Sequence, residues 1–142
     1  MSTESINFFT EDISYPYEDK NETREWIEKV AEQEGFRTGD INLVFCSDSY
    51  LYDLNVKFLH HNTYTDIITF DLSEDEEVIS GDIFISVERA GENSGKYNVS
   101  HLHEIRRLIA HGILHLAGYG DKTDREKALM RQKEDYYLSL HP

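Results

Sequence analysis

Two histidines, His111 and His115, stand four residues apart in a stretch with helical apolar spacing. Both imidazoles therefore leave one face of a helix, about one turn apart. That placement lets two ring nitrogens reach one metal ion at about 2.0–2.1 Å, the geometry of helical zinc sites. Gly118-Tyr119-Gly120 then offers a turn that can swing Asp121 back, giving His111-x3-His115-x2-Gly118-x2-Asp121. Two imidazoles, a carboxylate and open positions for water describe a catalytic rather than a structural centre, and hydrolysis rather than electron transfer. Two unrelated helix-surface histidines show the same spacing, and Asp121 suits a turn or a cap for the next helix equally well. The residues by themselves leave both readings open. Gly112 narrows the chemistry, because peptidases of the His-Glu-x-x-His kind carry their general base at that position and glycine has no group to accept a proton.

The helix bearing these histidines spans about Ser100–Ala117, with Leu102, Ile105, Leu108, Ile109, Leu114 and Leu116 at 3.6-residue spacing. Gly118 is placed to end it in the left-handed conformation. Upstream, strands are expected at Ile6–Phe9, Asp40–Cys46, Ile67–Phe70 and Gly81–Val87, the last with Ile83, Ile85 and Val87 on one face. Asn21–Glu34 reads as a helix with Trp26, Ile27, Val30 and Ala31 inward and Gly35 as its stop. A short helix carrying Tyr50, Leu51, Leu54 and Phe58 can be capped by Asp48 or Ser49, and His60–Asp66 is a polar loop. A last helix over about Asp124–Leu140 turns Ala128, Leu129, Tyr136 and Leu140 inward. Strands alternate with helices early and helices cluster late, which predicts an α+β or mixed α/β layer around one sheet.

Composition bounds what these elements can be. The 142 residues suit one domain, and 17 aromatic residues argue against disorder. A lone cysteine, Cys46, excludes a disulfide scaffold and is expected as buried packing. No apolar run nears the roughly 20 residues that cross a bilayer, and the N-terminus lacks the basic start and apolar stretch of a secretory signal. The expectation is a soluble, cytoplasmic single domain over residues 1–142 with no membrane role. The net charge of −14 opposes polyanion binding through the whole-molecule field. Half of the 14 basic residues nevertheless lie within 99–142, alongside the histidines.

His111-Gly112-Ile113-Leu114-His115-Leu116-Ala117-Gly118-Tyr119 resembles the signature of the YbeY-type endoribonucleases, factors of bacterial ribosomal RNA maturation. Leu54-Asn55 through Thr65-Asp66-Ile67-Ile68-Thr69-Phe70, Gly81-Asp82-Ile83-Phe84-Ile85-Ser86, and the Met130-x3-Glu134 pair resemble three further stretches of that family. The resemblance implies an α+β fold with a single mixed four-stranded sheet flanked by helices, and a metal site on the His-bearing helix and the turn after it. It implies a metal-dependent endoribonuclease that cuts single-stranded RNA in maturing the 3′ end of small-subunit rRNA and in ribosome quality control. Its partners would be ribosomal RNA and the small ribosomal subunit. The alternatives are a non-catalytic, metal-stabilised ribosome-assembly factor and a metallohydrolase of another substrate.

The resemblance carries the metal ligands onto His111, His115 and Asp121, which would act through one Zn2+ per chain. The family's third histidine falls on Asp121, and a His2Asp set also suits Fe, Mn or Ni. The family's cleft arginine falls on Leu59, beside Phe58, which leaves a cationic role for Lys57, His60 or His61. His60 and His61 are also plain loop surface in appearance. Arg106 and Arg107 can meet phosphate or serve as helix-surface charges. Asp82 can orient a ligand imidazole or end a turn. Tyr136 and Tyr137 read as core and rim of the last helix rather than as stacking platforms.

Overall fold

The computed structural model describes residues 5–142. Residues 1–4, the start of the segment searched for a secretory leader, lie outside them. Among the described residues, four strands and five helices follow in the order β1 (Ile6–Thr10), α1 (Lys20–Gln33), β2 (Arg37–Cys46), α2 (Asp48–Leu59), β3 (Ile67–Asp71), β4 (Val78–Ser86), α3 (Val87–Tyr97), α4 (His101–Leu116) and α5 (Asp124–Leu138). The sheet order is β1-β2-β4-β3. β1 and β4 both run parallel to β2, and β3 runs antiparallel to β4. The fold is therefore α+β with a single mixed four-stranded sheet, as the family resemblance implies. Among the described residues no helix is long and apolar enough to cross a membrane.

The acidic segment between β3 and β4 turns the chain because its own carboxylates satisfy its backbone. Asp71 accepts from the Ser73 amide at 2.9 Å and Asp75 from the Glu77 amide at 2.8 Å. Alternation along β4 then sorts two faces. Ile79, Ile83 and Ile85 join the main core with Trp26, Ile27, Val30 and Ala31 of α1 and Ile105, Leu108, Ile109 and Ile113 of α4. A smaller cluster, Cys46, Leu51 and Ile68 with Phe84 and Phe70, lies under α2.

Several local expectations need correction. Val87 opens α3 instead of extending β4, because the Ser86 hydroxyl accepts from the Arg89 amide and caps a helix there. Apolar spacing does not announce this helix, since Gly91, Asn93 and Gly95 are poor helix formers. Ser47, rather than Asp48 or Ser49, caps α2. In α5 the inward residues are Met130, Glu134 and Tyr137, whereas Leu129 and Tyr136 are exposed and Ala128 faces out with them; the helix ends at Leu138, and Leu140 beyond it is exposed too. A buried face that includes a carboxylate is invisible to a reading by apolar spacing. Leu102 and Phe58 are also exposed.

Candidate active site

α4 is capped by Ser100, whose hydroxyl accepts from the His103 amide at 3.0 Å. Its inner face meets β4 closely at Gly112, where an added Cβ would stand 2.8 Å from Cδ1 and 2.9 Å from Cγ2 of Ile83. That contact turns His111 and His115 outward, into a cleft of about 670 Å³ that both of them line. The helix ends in a Schellman motif: the amides of Gly118 and Tyr119 bond to the carbonyls of His115 and Leu114, with Gly118 at φ +107°.

The turn beyond is held from both sides. The Tyr119 hydroxyl donates to Glu34 at 2.6 Å, and Glu34 also accepts from Tyr137 and, at 3.1 Å, from Lys133. Downstream, Thr123 and Glu126 form a capping box for α5, and Glu126 also accepts from the Lys122 amide. Between these anchors the Asp121 carboxylate comes back to the helix, with Oδ2 at 3.3 Å from His111 Nε2.

Glu134 of α5 sets the other edge of the His111 ring. Its Oε2 lies 2.7 Å from Nδ1. An ionised carboxylate only accepts, so Nδ1 donates to Glu134 and Nε2 is the ring nitrogen turned toward Asp121. Burial alone would raise Glu134, but the hydrogen bond from His111 and the charge of Arg107 outweigh it and hold the carboxyl below its ordinary range. Burial alone would lower His111, yet Glu134, Asp121 and Asp66 together raise it. Arg107 bridges Glu134 at 3.0 Å and Glu104, which is fully buried. Asn93 in turn donates to Glu104 and, at 3.1 Å, to Asp66 of the cleft. Asp66, Glu104, Asp121 and Glu134 outnumber Arg107 and the Arg131 guanidinium 3.7 Å from Glu134, and the excess negative charge favours a cation at this point.

Whether these residues fit a metal can be tested on distance. Two ligands of a tetrahedral ion, each about 2.0–2.1 Å from it, stand roughly 3.3–3.4 Å apart. The 3.3 Å separation of Nε2 and Oδ2 meets that condition. Among the described residues, no group of three His, Cys, Asp or Glu side chains is gathered tightly enough to hold an ion. His115 lines the same cleft one turn on and is exposed, so it is the donor that has to be brought in.

The other sequence candidates scatter. His61 and Leu59 line the cleft. His60 sits outside it, as the left-handed residue that ends α2. Lys57 belongs to a separate groove on the α2 side of the sheet, its ammonium 5.5 Å from the Phe58 ring. Arg106 pairs with Asp19 at 2.6 Å, away from the cleft lining. Arg107 lines the cleft but is no surface charge: its side chain is 14% exposed and matched by two carboxylates. Asp82 cannot orient an imidazole, since it points to the α2 side of the sheet and accepts from Asn42 at 2.9 Å. Glu134 does that instead. Its one sequence signal was the Met130-x3-Glu134 pair, which fixed its place but not its task.

The sequence model of the family described as "Endoribonuclease YbeY" matches residues 5–141. A Cytophaga hutchinsonii protein named Endoribonuclease YbeY is 47% identical over 140 residues, covering 99% of this chain and 98% of its own. One of the same name from Christiangramia forsetii is 44% identical, covering 99% and 96%. The solution structure of TM1509 from Thermotoga maritima superposes with a TM-score of 0.68 at 27% identity, over 94% of this chain and 87% of that one.

Proposed function

The chain belongs to the Endoribonuclease YbeY family, and from that premise we propose that it is a metal-dependent endoribonuclease of single-stranded RNA. Its setting would be the cytoplasm, in maturing the 3′ end of small-subunit rRNA and in ribosome quality control. The observation that supports this most is the His111 Nε2–Asp121 Oδ2 separation of 3.3 Å, which suits two ligands of one ion. His111, Asp121 and His115 would hold the ion. Zinc suits the imidazole pair, and Fe, Mn or Ni suit a set whose third donor is a carboxylate. Such an ion supplies a Lewis acid for a phosphoryl oxygen and acidifies water at its side.

The rest of the chemistry falls to the chain. Glu134 keeps the His111 proton on Nδ1 and so keeps Nε2 free to ligate. Arg107, tied to Glu104 and Glu134, fixes Glu134 rather than reaching out to phosphate. The Glu34 bonds to Tyr119, Tyr137 and Lys133 steady the turn that presents Asp121.

The test is elemental analysis of protein purified without added metal, paired with cleavage of a single-stranded RNA. Wild type should carry about one divalent ion per chain and cut, and His115→Ala should lose both. Full cutting by metal-free His115→Ala protein would overturn the proposal. Metal bound with no RNA cut under any ion would favour the assembly-factor alternative.

A further inference from the structure

Tyr64 is the large aromatic residue at the cleft that also contains His111 and Asp121, and it is 57% exposed. Exposure of one aromatic is ordinary. What distinguishes Tyr64 is that its loop is pinned and its ring braced. Buried Asn55 donates to the Thr63 carbonyl at 2.8 Å, and the Ser86 amide bonds the Asp66 carbonyl at 3.0 Å. The Tyr52 ring lies 4.5 Å from the Tyr64 ring between centroids. The Arg89 guanidinium stands 5.4 Å away, itself anchored on Asp48 at 2.7 Å. A flexible loop would lose much of its binding energy to ordering. This one is already ordered.

The charges of the cleft do not hold a polyanion well. Its arginine, Arg107, is spent on Glu104 and Glu134, and Leu59 offers no charge. With little phosphate contact to draw on, affinity has to come from elsewhere than counterion release. Base stacking on aromatics is the sequence-tolerant alternative. We infer that Tyr64 is a stacking platform for one base of the single-stranded RNA, positioning the strand in the cleft, an inference that rests on the endoribonuclease reading above.

The test uses the purified, metal-bearing protein and a short single-stranded RNA with 2-aminopurine near the cleavage position. Stopped-flow fluorescence before cleavage reports stacking, and steady-state kinetics separate KM from kcat. Wild type should quench the probe. Tyr64→Ala should lose the quenching and raise KM by at least about fivefold, with kcat held within about threefold. Tyr64→Phe, which keeps the ring, should restore both. Quenching and KM unchanged in Tyr64→Ala, or Tyr64→Phe as impaired as Tyr64→Ala, would overturn the platform while leaving the nuclease reading intact. Wild-type protein that neither quenches nor cuts any RNA would overturn the nuclease reading, and the platform with it.

Discussion

His111 donates its Nδ1 proton to Glu134 at 2.7 Å, joining α4 to α5 across 23 positions of sequence. The bond fixes the orientation of the imidazole and turns its other nitrogen toward Asp121, 3.3 Å away. Outer carboxylates of this kind typically contribute 10- to 100-fold to metal affinity. Glu134→Gln keeps the volume but removes the charge, so affinity for a divalent ion should fall by about that factor. Titration against a competing chelator measures it, with circular dichroism checking the fold. An affinity within twofold of wild type would show that the ring is held by packing alone.

Gly112 lies where α4 touches β4, and a methyl there meets three atoms of Ile83 at 2.8–3.1 Å. Both residues are buried, so neither side yields easily. Gly112→Ala should destabilise the fold by about 1–3 kcal/mol, as overpacked cores do. Adding Ile83→Val, which removes the nearest atom, should recover part of the loss. Urea denaturation of the single and double variants gives the comparison. The same contact explains why this chain carries no base after its first histidine: a longer side chain would strike the sheet.

Much of this architecture was legible in the sequence. Period-2 alternation gave Ile83 and Ile85 their shared face, and 3.6-residue spacing gave α4 its inner side, because burial imposes both patterns directly. The return of Asp121 toward His111 was legible as one of two readings, because Gly118 marks where the helix reverses. Glu134, Glu104 and Arg107 were not, since a buried ion network leaves charged residues where spacing rules expect apolar ones. α3 was missed for a related reason. Its hold on the fold comes from the Ser86 cap and from Ala90 and Ser94 packing inward, not from helix-forming residues.

Cys46 ends β2 under α2 with no exposed surface. Burial, with the charges of Asp12, Glu11 and Asp48 adding to it, pushes the thiol up to about 12. The thiolate is the reactive form, so almost none is present near neutrality. Native protein at pH 8 should resist iodoacetamide for hours, whereas urea-unfolded protein should be alkylated fully. Mass spectrometry of the intact chain reads the difference. Rapid labelling of the native state would mean that α2 opens readily from the sheet.

Glu34 offers a pH signature separate from the metal ligands. Burial alone would raise its carboxyl, but the bonds from Tyr119, Tyr137 and Lys133 together outweigh burial and hold it below the ordinary value of 4.5. A carboxyl whose value falls on folding stabilises the native state above its unfolded value, and that contribution is lost as pH drops through the folded one. The charge matters here because all three partners are donors. Glu34→Gln keeps an acceptor but not the charge, so it should be less stable than wild type at pH 7. The gap between them should narrow as pH falls below about 4.5 and close once wild-type Glu34 is itself protonated. Urea midpoints of both proteins at several pH values between 7 and 3 test this. Because Tyr119 precedes Asp121 by two residues, the variant should also loosen the turn, visible as faster amide exchange at Gly120 and Asp121. A stability gap constant with pH would mean that Glu34 acts through its shape and not its charge.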